Sequence, residues 1–230
     1  MIIKERLNKT KWIMQQKYKK VSYSQEGEDF LLQRIFGEKD NGFYVDIGAH
    51  HPYRFSNTTN MYKRGWNGIN IEPNPEGYKL IDKMRKRDIN LNCACGLGDE
   101  KIKYYIFEES ADNTCDSNLA QYYIDHGVKL CEKVEIPTVR LDKILDSYLP
   151  QGKTIDFLDV DVEGFEIEVF MSNNWDKYRP KIIMTEVDGL TVNIDELKNN
   201  KVISFLEQKD YYLVSKLFNT VILCDKKNPM

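Results

Sequence analysis

Carboxylate side chains are concentrated in two short stretches of the chain, at residues 159–163 and 186–188. Each stretch directly follows an apolar run that predicts a buried strand, and the carboxyl ends of parallel strands meet at one edge of a sheet. We therefore expect up to five carboxylates in one cleft, unless several of them face solvent. So much negative charge is costly to bury unless one acid has a raised pKa or a divalent cation binds there. The five acids are Asp159, Asp161, Glu163, Glu186 and Asp188.

A second group of residues is suited to binding a nucleoside. Residues 46–52, DIGAHHP, predict the end of a strand and the turn that follows it. Gly48 lets a ligand approach the backbone closely. Asp46 either meets the cationic amino group of a bound amino acid or caps the turn. Glu72 ends the next predicted strand, where an acid accepts hydrogen bonds from ribose hydroxyls. This spacing indicates a nucleoside site, but NAD enzymes and methyltransferases share it.

Two further groups are candidates for contact with a substrate. His50 and His51 lie in the same turn and rival the carboxylates as bases, although either ring could point to solvent or stack on Tyr53. Residues 108–132 are polar and aromatic without a clear period, which predicts an irregular insertion or lid. The tyrosines in and before this segment line a sugar site or serve ordinary packing. They are Tyr104, Tyr105, Tyr122 and Tyr123.

The elements that must position these residues alternate between strand and helix patterns, which is typical of βαβ units and a parallel sheet. The predicted fold class is α/β, with a doubly wound, Rossmann-like sheet of about seven strands. The last two strands flank Phe218 and Asn219 as an antiparallel hairpin, as in the methyltransferase variant of this fold. Pro137 places its strand at a sheet edge. Strands are predicted at 43–49, 68–72, 89–95, 101–107, 134–139, 154–160, 181–187, 211–217 and 220–224, and the main helices at 56–66, 75–87, 141–148 and 194–208 and from 164 onward.

Length and charge limit the organisation of the chain. Its 230 residues predict a single domain over 22–230 with an insertion at about 100–135. Residues 1–21 form a basic segment, predicted to be helical, that contacts a membrane surface, mediates dimerisation or packs over the domain edge. A net charge of −3 argues against a nucleic-acid partner. Five cysteines without C-x-x-C spacing, and the lack of a signal-peptide pattern or a membrane-length apolar run, favour a cytoplasmic protein.

Five motifs, in this order, resemble those of the FkbM-type methyltransferases: SQEGED, VDIGAHHP, SNT, GW-GI-IEPNP and LDVDVEGFE-EVF. The resemblance covers about residues 22–190. It implies S-adenosylmethionine as methyl donor and an O-methyl product, often on a sugar or polyketide hydroxyl. It also implies that the acids and glycine of the two βα turns bind the donor and that residues 92–95 lie near the adenine. The predicted donor site is Gln25, Asp46, Gly48, Ala49, Asn57, Glu72, Asn92, Cys93 and Asp159.

One position departs from the family pattern, because a basic or neutral residue usually stands where this chain has Asp159. The D-x-D at 159–161 is similar to that of metal-dependent sugar O-methyltransferases of the macrocin type. By that analogy, Asp159, Glu186 and Asp188 hold a divalent cation, Mg²⁺ or Mn²⁺, and Asp161 acts as the base. The predicted catalytic residues are Asp161, His51 and Glu163.

The predicted function is an S-adenosylmethionine-dependent O-methyltransferase that methylates a sugar hydroxyl, on a nucleotide-linked sugar or a capsule or surface polysaccharide unit. One alternative is an NAD-type oxidoreductase, which would carry G-x-G-x-x-G in the turn at 46–52. The other is a catalytically inactive methyltransferase fold that serves as a binding module. The presence of Asp46, Glu72 and the acidic stretches argues against that second alternative.

Overall fold

The computed structural model describes residues 19–98, 100–187, 197 and 199–229. The predicted basic helix therefore lies outside the described residues, except for its last positions, where Lys19 and Lys20 are exposed. Asp188 also lies outside them. Within the described ranges, no helix has the length and apolar character needed to cross a lipid bilayer.

A seven-stranded sheet forms the centre of the fold. Its strands are β1 (Phe43–Ile47), β2 (Asn67–Ile71), β3 (Ile89–Leu91), β7 (Phe157–Val160), β8 (Ile182–Glu186), β9 (Tyr211–Lys216) and β10 (Thr220–Asp225). Their order is β3-β2-β1-β7-β8-β10-β9. The first five are joined by parallel pairing, whereas β10 runs antiparallel to both β8 and β9. The predicted α/β class, the seven strands and the C-terminal antiparallel hairpin are confirmed.

Helices cover both faces of this sheet. The described helices are α1 (Glu28–Phe36), α2 (Thr59–Lys63), α3 (Pro75–Met84), α4 (Ser117–Asp125), α5 (Leu141–Tyr148), α6 (Glu166–Met171) and α7 (Lys201–Gln208). Of these, α4 belongs to the insertion and packs there instead. Successive side chains of a strand point to opposite faces. In β1, Tyr44 packs in a core with Leu32 of α1, whereas Val45 and Ile47 pack in a core with Leu141 of α5. A strand buried on both faces explains why β1 is apolar almost throughout.

Two helix boundaries follow from capping side chains. Asn74 accepts a hydrogen bond from the Glu76 amide at 3.0 Å, and Pro75 occupies the first position of α3, as predicted. Asn200 accepts hydrogen bonds from the amides of Val202 and Ile203 at the start of α7. Of the predicted helix at 194–208, the structure describes α7 from Lys201 onward. Residues 194–196 and 198 lie outside the described residues.

The predicted insertion is folded, and the expectation of an irregular segment over 108–132 is corrected. It contains a 3₁₀ turn, Ser110–Asp112, and the helix α4, which Asp116 caps. A second sheet of order β4-β6-β5 consists of β4 (Ala94–Cys95), β5 (Lys101–Phe107) and β6 (Leu130–Val139). Helix α4 escapes pattern analysis because it buries little: Ala120 packs against Tyr105 and Phe107.

Two strand predictions also change. The strand predicted at 89–95 divides into β3 in the main sheet and β4 in the small sheet. The strand with Pro137 is central in its sheet, not at an edge. Successive backbone nitrogens of a strand point to opposite neighbouring strands. The Thr138 amide donates to the Glu100 carbonyl, on the side of β5, so the nitrogen of Pro137, which has no hydrogen to donate, points toward the side of β4. On that side β4 pairs only with Thr138 and Val139.

Candidate active site

A cleft opens at the carboxyl ends of β1, β2 and β7 and beside β4. The main sheet and its turns contribute one wall, and the insertion contributes the other. The residues that line it include Gln25, Gly48, His50, Glu72, Ala94, Cys95, Tyr104, Ser110, Asn113, Cys115, Asp161, Glu163 and Phe165.

The turn after β1 requires glycine at position 48. Gly48 has φ +85°, and its amide donates to the Ile71 carbonyl at 2.9 Å. A Cβ at this position would lie 1.7 Å from the main-chain oxygen of Asp161. The glycine thus lets the loop after β7 pass directly over the turn and leaves bare backbone facing the cleft.

Glu72 presents a buried carboxylate to the cleft, with only 5% of the residue exposed. One carboxylate oxygen accepts from the His50 amide at 2.6 Å and the other from the Asn74 amide at 2.7 Å. Burial nevertheless raises the pKa of Glu72 to about 7. Asn92 stands behind it and donates to the carbonyls of Glu72 and Pro73, so it holds the end of β2 in place.

Asp46 and Asp159 are register partners on β1 and β7, and both are buried away from the cleft lining. Thr58 donates to Asp46 at 2.6 Å, and the Asn57 amide donates to Asp159 at 2.9 Å. Burial raises the pKa of Asp46 to about 6. Burial and then the charge of Asp46 raise the pKa of Asp159 well above its usual range. Through these contacts both acids hold in place the segment that leads into α2.

Asp161, Glu163 and Glu186 form a carboxylate cluster, in which one oxygen of each lies within 4.8 Å of the others. Asp161 and Glu163 line the cleft, and Tyr123 donates to Glu163 at 3.4 Å. Burial raises the pKa of all three, to about 9 for Glu163 and about 10 for Glu186. A hydrogen bond between Asp161 and Glu186 lowers the pKa of the former and raises that of the latter.

This cluster differs from the predicted metal set. Glu186 belongs to it, but Asp159 does not, because Asp159 lies within the strand and faces the buried core beside Asp46. Asp161 lies beyond the end of β7, where its backbone leaves the sheet and its carboxylate reaches Glu186. Asp188 lies outside the described residues. The described part of the chain thus places Asp161 and Glu163, not Asp159, beside Glu186.

The side chains of the two histidines in the turn lie in different surroundings. His50, at φ +49°, lines the cleft, and its Nε2 lies 2.9 Å from the Ser110 hydroxyl. Burial lowers the pKa of His50. The Nδ1 of His51 accepts from the amides of Tyr53 and Arg54, at 3.0 and 2.8 Å. His51, the predicted catalytic histidine, therefore caps the turn and does not line the cleft.

The predicted donor residues fall into two groups. Gln25, Gly48 and Glu72 line the cleft. The others lie behind its wall: Asp46, Ala49, Asn57, Asn92, Cys93 and Asp159. Cys93 and Cys95 both pack in the main core, and Cys95 also lines the cleft. The predicted donor residues lie on or near turns beside the cleft, but a turn exposes only some of its side chains to one side.

The insertion brings residues to the cleft that pattern analysis missed. Asn113 and Cys115 line it, and of the four tyrosines singled out from the sequence only Tyr104 does. Tyr105 packs against Ala120, and Tyr122 is 55% exposed. No periodicity marks residues 110–115. Phe165, also missed, follows the acidic stretch directly, and that position was the available signal.

The segment before α1 is held by a single buried acid. The Asp29 carboxylate accepts from the hydroxyls of Ser22 and Ser24, from the Tyr23 amide and from Asn60 of α2. The Asp29 amide in turn donates to the Ser24 hydroxyl at 3.2 Å. These bonds involve the first and last residues of the SQEGED motif, and Gln25, which follows Ser24, lines the cleft.

A doubly wound sheet closed by a hairpin, with its cleft at the switch between β1 and β7, is the architecture of the Rossmann-like class I methyltransferases. A family model described as the Methyltransferase FkbM domain matches residues 46–213. This match spans most of the chain, and the chain belongs to the FkbM methyltransferase family. Membership implies the use of S-adenosylmethionine.

Two solved structures resemble the chain in fold. A precorrin-6y C5,15-methyltransferase from Geobacter metallireducens GS-15 is 17% identical, with 91% of this chain and 93% of that chain covered and a TM-score of 0.43. A putative caffeoyl-CoA O-methyltransferase from Staphylococcus aureus is 11% identical, with 96% and 91% covered and a TM-score of 0.45. Likenesses this distant carry no weight for the function. No curated protein sequence matches the chain significantly.

Proposed function

We propose that the protein transfers a methyl group from S-adenosylmethionine to a hydroxyl oxygen of a sugar. The observation that carries the proposal is one cleft with acids at two positions: Glu72 where a ribose would bind, and Asp161 with its carboxylate neighbours where an acceptor would be deprotonated. The sugar, on a nucleotide or in a capsule or surface polysaccharide unit, is the acceptor class that the family resemblance favours.

The donor fits the wall formed by the main sheet. Gly48 removes the side chain that would block close approach to the turn, and the Glu72 carboxylate can accept hydrogen bonds from two ribose hydroxyls. When bound, the sulfonium supplies an already activated methyl group, so the chain's main task is to orient the acceptor. Asp46 and Asp159 act as positioning residues, since each holds a side chain of the segment that precedes α2.

The acceptor requires a base. An alcohol is about as weak an acid as water, with a pKa of roughly 15–16. Asp161 is placed to take its proton, because it lines the cleft and Glu186 holds it by a hydrogen bond. Glu163 would orient the hydroxyl, and Tyr123 restrains that carboxylate. His50 is a second candidate base, since its ring also lines the cleft.

A divalent cation is compatible with the same carboxylates. The donor set is all oxygen, as Mg²⁺ and Mn²⁺ prefer, and three acids within 4.8 Å of one another are compensated well by a cation. The ligands would be Asp161, Glu163 and Glu186, and the ion would lower the pKa of an acceptor hydroxyl. The cation, a cytoplasmic location and a membrane or dimer contact through residues 1–20 stay predictions.

The test is calorimetry on the purified protein with S-adenosylmethionine and NAD in separate titrations, each with and without EDTA. Binding of S-adenosylmethionine alone supports the proposal. Methyl transfer is then assayed with a labelled donor and nucleotide-linked sugars as acceptors. Binding of NAD alone overturns the methyltransferase assignment, and binding of neither, even with metal restored, favours an inactive binding module.

A further inference from the structure

The loop that carries Glu163 has an unfavourable backbone conformation. Glu163 has φ +54°, and Gly164 after it has φ +91°. Glycine adopts such angles freely, but a residue with a side chain does so at a cost in free energy and only where its neighbours hold it there. Glu163 is also one of the three acids whose oxygens lie within 4.8 Å of one another. The strained residue is thus a member of the carboxylate cluster.

The loop itself supplies part of the restraint. One carboxylate oxygen of Glu166, at the start of α6, accepts from the Val162 amide at 3.1 Å and from the Gly164 amide at 3.2 Å. These two amides lie on either side of Glu163 in the chain. Because the Glu163 carbonyl and the Gly164 amide belong to one trans peptide group, they point in opposite directions. The Glu163 carbonyl therefore needs a partner other than Glu166.

Thr114 of the insertion is that partner. Its hydroxyl donates to the Glu163 carbonyl at 2.6 Å. The hydroxyl oxygen accepts from the Asp116 amide at 2.9 Å, so its single hydrogen is committed to Glu163. Thr114 is fully buried, and its backbone amide and carbonyl pair with Tyr105 of β5 at 3.2 and 2.9 Å. The hydroxyl that holds Glu163 is thus anchored to the second sheet.

The start of α4 packs against the same loop. Asp116 caps α4, and a Cβ at Gly164 would lie 3.4 Å from the Leu119 side chain and 3.6 Å from that of Asp116. Further along α4, the Tyr123 hydroxyl donates to the Glu163 carboxylate at 3.4 Å. The insertion therefore contacts both the backbone and the carboxylate of Glu163.

We propose that Thr114 is a positioning residue of the methyl-transfer site. Its hydroxyl holds Glu163 in the left-handed conformation and thereby keeps the Glu163 carboxylate beside Asp161 and Glu186. Thr114 does not itself line the cleft, so it acts through Glu163. The insertion thus helps to arrange the acceptor side of the cleft as well as to wall it. The inference rests on the role of Glu163 in the proposed function.

Three variants test the hydroxyl. Thr114→Val removes it and keeps the branched shape, Thr114→Ala removes it without γ atoms to place, and Thr114→Ser keeps it. We expect the valine and alanine variants to lose about tenfold in kcat, the effect of losing one hydrogen bond to a buried group. Their affinity for S-adenosylhomocysteine, measured by calorimetry, stays as in wild type, because the donor fits the wall formed by the main sheet. Thr114→Ser should come close to the wild-type kcat.

The variant Glu163→Ala shows whether the effect passes through Glu163. In that background Thr114→Val should cause no further loss of kcat, because the carboxylate that the hydroxyl positions is gone. Thr59→Val is the matched control. It removes another buried threonine hydroxyl, which donates to the Pro52 carbonyl, also at 2.6 Å. Any loss of kcat that Thr59→Val causes should persist in full in the Glu163→Ala protein.

Crystal structures of wild-type protein and of Thr114→Val measure the position of the carboxylate independently of activity. We expect the Glu163 carboxylate of the variant to leave the cluster. The proposal is overturned if the carboxylate stays beside Asp161 and Glu186 in the folded valine and alanine variants, if the losses in kcat from Thr114→Val and Glu163→Ala add, or if Thr114→Ser loses as much as Thr114→Val. If the carboxylate moves as expected but wild-type protein methylates no nucleotide-linked sugar, the proposed function fails and the positioning role stands.

Discussion

The main-chain oxygen of Asp161 occupies the space into which a side chain at Gly48 would project, 1.7 Å from an ideal Cβ. The Asp161 amide also donates to the Ile47 carbonyl at 3.0 Å. The turn that faces the donor and the loop that carries the candidate base are thus packed backbone against backbone. Backbone contacts, and not side chains, therefore fix the position of the turn relative to the loop.

We expect Gly48→Ala to destabilise the protein and abolish binding of S-adenosylhomocysteine. The methyl group meets backbone that cannot give way, and φ +85° is unfavourable for alanine. Thermal unfolding and calorimetry measure the two effects. Gly98→Ala is the control, because a Cβ there has no atom within 4 Å. A variant at position 48 that keeps wild-type stability and affinity would contradict this close packing.

Binding of S-adenosylhomocysteine should depend on pH through Glu72, whose pKa burial raises from 4.5 to about 7. Ribose hydroxyls donate to the ionised carboxylate, so affinity is highest above pH 7. As the pH falls below about 7, Glu72 takes up a proton and affinity drops by up to about tenfold per pH unit. The raised pKa also means that the folded state loses stability as the pH rises from 4.5 to about 7.

Calorimetry between pH 5.5 and pH 8.5 measures this dependence. The control is Glu72→Gln, which cannot ionise and should bind weakly at every pH without a break near 7. If wild-type affinity is flat across this range while the variant is weakened, Glu72 acts in binding but is already ionised in the free protein.

Asp161→Asn should lower methyl transfer by about 10²–10⁴-fold, the usual contribution of a general base, while affinity for S-adenosylhomocysteine changes little. The amide keeps the size of the side chain but cannot accept the proton. Steady-state rates and calorimetry separate the two effects. Asp125→Asn, at the exposed end of α4, is the control for loss of one carboxylate. Full activity of the Asp161 variant would shift the role of base to His50 or Glu163.

Removal of divalent ions tests the carboxylate cluster separately. If the cation acts at Asp161, Glu163 and Glu186, dialysis against EDTA abolishes methyl transfer, and Mg²⁺ or Mn²⁺ restores it. The cation's compensation of three neighbouring acids should also raise the thermal unfolding temperature of wild-type protein but not of Glu163→Gln. An enzyme that stays fully active in EDTA would leave Asp161 as a base without a metal.

The turn and the insertion also meet at the surface, where Arg54 and Glu109 form two parallel hydrogen bonds of 2.8 Å. Both side chains are more than two-fifths exposed, so the pair contributes less than about 1 kcal/mol to stability. We expect Arg54→Ala to leave the unfolding temperature nearly unchanged but to speed dissociation of S-adenosylhomocysteine, because this contact joins the two walls of the cleft. Stopped-flow dissociation rates measure it, with Lys79→Ala, from an exposed pair on α3, as control.

Several elements of the fold could be predicted from the sequence because they depend on interactions between residues that are close in the chain. The strand and helix alternation, the hairpin around Phe218 and Asn219 and the glycine turn at 46–52 each depend on neighbouring residues. Glu72 at the end of β2 follows from strand periodicity, and it lines the cleft as expected. The predictions for 108–132 and Pro137 were wrong because a short capped helix and one-sided strand pairing leave no periodic signal.

Apolar periodicity and the positions of glycine and proline specify the order of strands and helices, so the fold class and the turns beside the cleft could be predicted from the chain alone. Which acids lie together depends on how the sheet packs. Asp159 and Asp161 are two positions apart, yet the sheet buries one beside Asp46 and places the other beside Glu186. Likewise, only packing of the insertion against the sheet brings Asn113 to the cleft, because contacts between distant segments depend on how layers meet and not on spacing along the chain.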